Sequence, residues 1–207
     1  MRITPISPDG LRDLLVERIS GLPAGWARVA IDGAPAAAPD EWARRLVQPL
    51  RAAGRPALHV RAADFLRPAS LRYEFGRTDP DSYYDGWLDL AGLRREVLEP
   101  LRPGGSGRVL PSLWNPVTDR ATRAGYETVP PDGVLLLSGD LLLGSGLPVD
   151  FAVHLRMSTA ALARRTPPEL AWTLPAYQRY EHEVDPAAFA DLVVRLDDPR
   201  HPALLIA

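Results

Sequence analysis

The densest collection of chemically useful side chains is the stretch Arg72-Tyr73-Glu74-Phe75-Gly76-Arg77-Thr78-Asp79-Pro80-Asp81-Ser82-Tyr83-Tyr84-Asp85-Gly86-Trp87. Aromatic rings interleaved with arginines and acids can stack a flat base and bind sugar hydroxyls. The same rings can instead turn inward beneath a solvated loop. Asp79 and Asp81 form a carboxylate pair on paper, although Asp-Pro-Asp is ordinary turn chemistry. Arg164-Arg165, followed by Thr166-Pro167-Pro168, offers guanidinium groups that could clamp phosphate or simply end a solvated helix. Trp172, Tyr177, Arg179 and Tyr180 could stack on a ligand or pack a helix into the core. Gly104-Gly105-Ser106-Gly107-Arg108 reads as an anion nest or a hairpin-entry turn. The four histidines, His59, His154, His182 and His201, lie at no metal-ligand spacing, and no nucleophile elbow accompanies them. No metal site is expected.

Composition removes several alternatives. The 207-residue chain has no cysteine, which excludes disulfide scaffolds, zinc thiolates and thiol catalysis. All 24 basic residues are arginine, so Schiff-base chemistry and a phosphate-binding lysine are both unavailable. A net charge of −2 argues against binding dominated by a nucleic-acid backbone. The residues before Ser20 lack the apolar run of a secretory signal, and no stretch is apolar enough to span a membrane. A cytoplasmic protein without nucleic-acid or membrane partners is expected.

The elements that must carry these groups alternate. Ser7-Pro8-Asp9 opens an amphipathic helix to about Gly21, and Ala27 to Asp32 is a buried strand. A second helix runs from Asp40 to Gly54, and a second strand from Ala57 to Val60. A third helix spans Leu88 to Leu101. Arg108 to Trp114 and Tyr126 to Val129 read as paired strands around a polar loop. Strands follow at Gly133–Leu137, Val149–Arg156 and Ala190–Leu196, with helices at Ala160–Arg165 and Leu174–Glu183. Apolar strands separated by helices predict a parallel sheet covered on both faces, with a ligand at the carboxyl ends of the strands.

The turn at that end of the first such strand is Val29-Ala30-Ile31-Asp32-Gly33-Ala34-Pro35-Ala36-Ala37-Ala38-Pro39-Asp40. It resembles the opening of the uridine kinase and phosphoribulokinase branch of P-loop kinases. Arg61-Ala62-Ala63-Asp64-Phe65 is similar to the family's second-strand segment, in which an acid before Phe activates the nucleoside hydroxyl. Trp114-Asn115-Pro116-Val117-Thr118-Asp119 resembles its substrate-covering hairpin. Val134 to Gly139 falls at its Walker-B-type strand, and Tyr177 to Val194 at its closing helix and strand. The resemblance implies a three-layer, P-loop NTPase-like α/β fold: one domain over 1–207, a hairpin insertion at about 104–132 and a reduced lid at about 158–176. It also implies an acceptor pocket drawn from Arg67, Tyr73, Arg77, Asp79, Tyr83, Tyr84, Trp114 and Asp119, and lid arginines Arg164 and Arg165. The family often oligomerises, so a homo-oligomer is compatible with it.

The chemical positions depart from that pattern. A phosphate loop needs G-x-x-x-x-G-K-[ST]. From Gly33, the second glycine is Ala38, the lysine is Pro39 and the hydroxyl residue is Asp40. The family's base position falls on Ala63; Asp64, one residue away, is the candidate catalytic acid if the chain twists at the strand end, and the family's strand-end acid falls on Ser138. Its hairpin tyrosine and histidine correspond to Trp114 and Asp119. Scaffold without chemistry predicts a nucleoside- or nucleotide-binding pseudokinase for which ATP and magnesium are doubtful ligands. The alternatives are a phosphotransferase using arginines such as Arg44, Arg67 or Arg165, and an interaction protein with a closed pocket.

Overall fold

In the computed structural model, which describes residues 2–206, the chain builds a seven-stranded sheet. Its strands are β1 (Arg2–Pro5), β2 (Ala27–Asp32), β3 (Ala57–Arg61), β8 (Val134–Gly139), β9 (Phe151–Arg156), β10 (Leu192–Arg195) and β11 (Ala203–Ile206). Their order is β1-β11-β10-β9-β2-β8-β3. The five strands from β10 to β3 pair in parallel, and β11 and β1 add antiparallel pairs at the β10 side. The central strands β2 and β8 are buried on both faces, which explains their continuous apolar runs.

Helices cover both faces. On one, α1 (Pro8–Ser20) and α2 (Pro39–Ala52) bury Leu11, Leu15, Ile19, Trp42, Leu46 and Leu50 against Val29, Ile31, Val134 and Leu136. The Ser7 side chain caps α1 by accepting from the Gly10 amide at 3.0 Å, with Pro8 pre-set for the first turn. On the other face, Leu93, Val97, Leu98 and Leu101 pack on Val60, Leu135 and Leu137. This is the three-layer α/β arrangement of P-loop NTPase-like proteins.

Several local expectations are corrected. The helix predicted over 88–101 is α5 (Leu90–Leu93), then a π-helical turn at Arg94–Leu98 and a 3₁₀ turn at Glu99–Leu101. Pro100 has no N–H for the Glu96 carbonyl, which accepts from Leu110 instead. The single predicted hairpin is two short ribbons, β4 (Arg108–Val109) with β7 (Glu127–Thr128) and β5 (Trp114–Asn115) with β6 (Arg120–Ala121). Pro111 lacks a donor, and the amides of Leu110 and Leu113 turn to Glu96 and Asp64, so the ladder cannot continue. The sheet is not wholly parallel: β11 turns back along β10 and β1 pairs antiparallel to β11, two four-residue strands that the sequence-based expectation did not include. The aromatic stretch also contains two short helices, α3 (Ala69–Arg72) and α4 (Pro80–Gly86). The remaining helices, α6 (Thr159–Arg165) and α7 (Leu174–Glu183), lie close to their predicted bounds.

Candidate functional site

The segment after β2 is folded onto itself. The Gly33 amide donates to the Gly139 carbonyl at 3.0 Å, and a Cβ there would stand 2.9 Å from Leu155 Cβ, so glycine is required by close approach. Pro35–Ala37 form a 3₁₀ turn in which Ala37 donates to Ala34 (2.7 Å) and Ala38 to Pro35 (2.9 Å). Pro35 and Pro39 contribute no N–H. Between Gly33 and Asp40, only Ala34, Ala36 and Asp40 therefore keep amides outside these bonds. Ala38 takes φ 56° and ψ 53°, the left-handed conformation that glycine holds most easily. The backbone thus retains a bend whose usual residue is absent.

Asp40, in the first turn of α2, accepts a hydrogen bond from Ser138 Oγ at 2.5 Å, and His59 Nε2 lies 2.7 Å from the same oxygen. Burial pushes the His59 pKa down, so the neutral ring donates Nε2–H to Ser138, which donates to Asp40. A histidine acting as donor cannot be the base for that serine, so this is no hydrolytic triad.

A second network surrounds Asp32, which is fully buried at the end of β2. Its Oδ1 accepts from the Leu142 amide (2.9 Å), and its Oδ2 from His154 Nδ1 (2.7 Å) and Tyr180 (3.3 Å). His154 Nε2 reaches Glu181 at 3.2 Å, and Arg156 lies 3.4 Å from Glu181. Burial alone would lower the His154 pKa, but hydrogen bonds to the two carboxylates raise it to about 9. His154 is therefore an imidazolium at neutral pH. It borders a cavity of about 330 Å³ with Gly33, Arg156, Gln178 and Glu181.

The principal apolar cavity, about 320 Å³, lies on the other side of Leu141, Leu162 and Tyr177, which wall both spaces. Tyr83, Tyr84, Trp87, Trp172 and Tyr177 line it together with Asp140, Pro35, Ala36 and Ala63. Tyr83 meets Trp87, Trp172 and Tyr177 edge-on, with centroids 5.0, 5.5 and 6.0 Å away. Both Tyr83 (2.5 Å) and Tyr177 (2.7 Å) donate to Asp140 Oδ2. Burial raises the Asp140 pKa against the pull of these donors, and burial beside Asp140 keeps both phenols protonated.

The structure therefore brings only part of the sequence-derived set together. Tyr83 and Tyr84 line the main cavity, and Gly33 lines its neighbour; Ala38, Pro39 and Asp40 line neither. Asp64 is held bidentately by Arg61 at 2.9 and 2.5 Å, while Ala63 faces the cavity. Arg67 donates to the Gly86 carbonyl at 3.4 Å. Arg77 stacks on Tyr73, which meets the lining residue Trp87 at 5.6 Å; Arg67, Tyr73 and Arg77 themselves do not line the cavity. Asp79 caps α4 through the Ser82 amide rather than pairing with Asp81. Asp119 receives Trp114 Nε1 (3.0 Å) and the Ala69 amide (2.8 Å), tying the hairpin to α3. Of the lid candidates, Arg164 is exposed on the outer side of α6 and Arg165 donates to the Leu196 carbonyl at 3.0 Å. Asp140 and the Asp32–His154–Glu181 network were missed. Their signal was an acid directly ending, or one residue beyond, a mainly apolar strand.

No family model matches this sequence, and no curated protein matches it. Solved structures do. A possible uridine kinase from Bacillus stearothermophilus superposes with a TM-score of 0.72 at 20% identity, over 88% of this chain and 96% of that one. A candidate fructose transport system kinase from Silicibacter sp. TM1040 gives 0.59 at 21% identity, over 89% and 92%. The YGR205w protein gives 0.60 at 11% identity, over 95% and 99%. The chain has the fold of the uridine-kinase-like P-loop proteins. Among the described residues, no helix is long and apolar enough to cross a membrane.

Proposed function

We propose that this protein is a binding module of nucleoside-kinase descent, which holds a small, nucleoside-sized organic ligand without transferring phosphate to it. The observation that carries this reading is the contrast between two neighbouring places. The loop that would cradle a triphosphate keeps only the Ala34, Ala36 and Asp40 amides outside internal bonds, the rest being engaged or replaced by proline, and its helix start carries the Asp40 carboxylate, paired with Ser138. A phosphate there would face a like charge with no lysine to offset it. Those residues do not fit a magnesium–nucleoside triphosphate. The cavity beside it remains open, with aromatic walls and a carboxyl group.

The three arginines named as substitutes for the lysine are each engaged elsewhere: Arg44 is paired with Glu41, Arg67 bonds Gly86 and Arg165 bonds Leu196. Ser138 and Ala63 stand where the resemblance expects the strand-end acid and the hydroxyl-activating base, so neither role has a carboxylate at its position.

Calorimetric titration with uridine, UMP and ATP·Mg tests the reading. Uridine-class binding without ATP binding is the expected result. ATP-dependent phosphorylation of uridine or cytidine by the purified protein would overturn it.

A further inference from the structure

The charge of the main cavity narrows its ligand beyond size and shape. Among its lining residues there is no arginine, lysine or histidine, while two are acids, Asp85 and Asp140. Asp85 is neutralised from outside by Arg179 at 2.8 Å. That arginine is also bound to Asp81 and Glu183, and it stacks over Tyr84 at 4.2 Å without joining the wall. Asp140 has no such partner. Tyr83 and Tyr177 hold its Oδ2, and its Oδ1 accepts no hydrogen bond from another described residue.

The remaining polar groups reinforce this asymmetry. Thr166 and Thr173 donate their hydroxyls to the carbonyls of Leu162 and Leu170, and the Trp87 indole donates to Arg72. The phenol protons of Tyr83 and Tyr177 point to Asp140. Tyr84 and Trp172 add neutral donors without a partner among the described residues, so the cavity presents ring surfaces, an acceptor and neutral donors, with nothing cationic to meet an anion. Ring faces carry negative charge density and attract an ammonium or ring cation. A phosphate or carboxylate would be desolvated among them without compensation.

We propose that the ligand of this cavity is an organic cation, a protonated or quaternary amine or a cationic ring, seated among Tyr83, Tyr84, Trp87, Trp172 and Tyr177 with its charge toward Asp140. The proposal rests on the cavity being a ligand site, as read above, and specifies what that site selects. It excludes a nucleotide from this cavity, because UMP carries the wrong charge for the wall.

A charge series on one ring system tests it: 2-phenylethylamine, 2-phenylethanol and phenylacetate, titrated calorimetrically beside uridine. The amine should bind at least about tenfold more tightly than the alcohol, the scale of a desolvated cation–ring contact, and phenylacetate should not bind. Asp140→Asn should bring amine and alcohol within about threefold of each other. Trp172→Leu, at the rim, should also reduce the preference, and it serves if the Asp140 variant fails to fold. Equal binding of amine and alcohol by the unaltered protein, or tighter binding of phenylacetate, overturns the proposal. Uridine binding with silence from the amine overturns it while leaving the nucleoside reading standing. Silence from every compound overturns both.

Discussion

Ser138, near the end of β8, donates its hydroxyl proton to Asp40, in the first turn of α2, across 2.5 Å. The strand end carries the alcohol and the helix start the carboxylate. The pair keeps one negative charge at this spot but turns it into an internal contact. Ser138 is fully buried, so Ser138→Ala strands His59 Nε2–H and removes a charge-assisted bond. A loss of about 1–3 kcal/mol is expected, read from the urea midpoint.

Ala38 sits in left-handed backbone at the start of α2. Ala38→Gly relieves that conformation and should stabilise the protein by up to about 1 kcal/mol, less the added freedom of the unfolded chain. Thermal unfolding measures it. The same substitution should leave ATP binding undetectable by calorimetry, because Pro39 and Asp40 are unchanged.

His154 predicts a pH dependence. Its pKa is raised to about 9 in the folded state from an ordinary 6.5. The resulting stabilisation is fully present below pH 6.5 and disappears as pH rises through 9, and it amounts to roughly 3 kcal/mol at about 1.4 kcal/mol per unit. Denaturant unfolding between pH 6 and 9.5 should show this decline. Asp32→Asn should flatten it and lower stability at pH 6 through loss of the buried ion pair.

At the opposite end of the sheet, Arg55 is 9% exposed and donates to the carbonyls of Asp132, Ser20, Leu22 and Gly25. Arg55→Met leaves those carbonyls without their donor and should cost about 2–4 kcal/mol. Ligand affinity measured below the unfolding transition should not change, since Arg55 lies far from the carboxyl ends of the strands.

The layers were legible because β2 and β8 are mainly apolar runs and α2 carries a clear apolar stripe, while α1 is marked by its Ser7 cap and Pro8. Contacts distant in sequence were not. Whether Tyr83 meets Asp140 or solvent depends on α4 reaching α7 across the strand ends, and no local period encodes that approach. Asp79 illustrates a narrower failure: Asp-Pro-Asp signals a turn and a helix cap equally well, and the capped helix prevailed because Tyr83 and Trp87 find partners only when the segment coils. The types of the loop residues after β2 were plain in the sequence. Their internal bonding was not, since it depends on which carbonyl each amide finds.

Leu141, Leu162 and Tyr177 belong to the walls of both cavities. Tyr177 bonds Asp140 on one side, and its helix carries Glu181 to His154 on the other. The two chambers thus share these three side chains as a common wall. Were guests in the two chambers to influence one another through it, the effect on binding free energy would be equal in both directions.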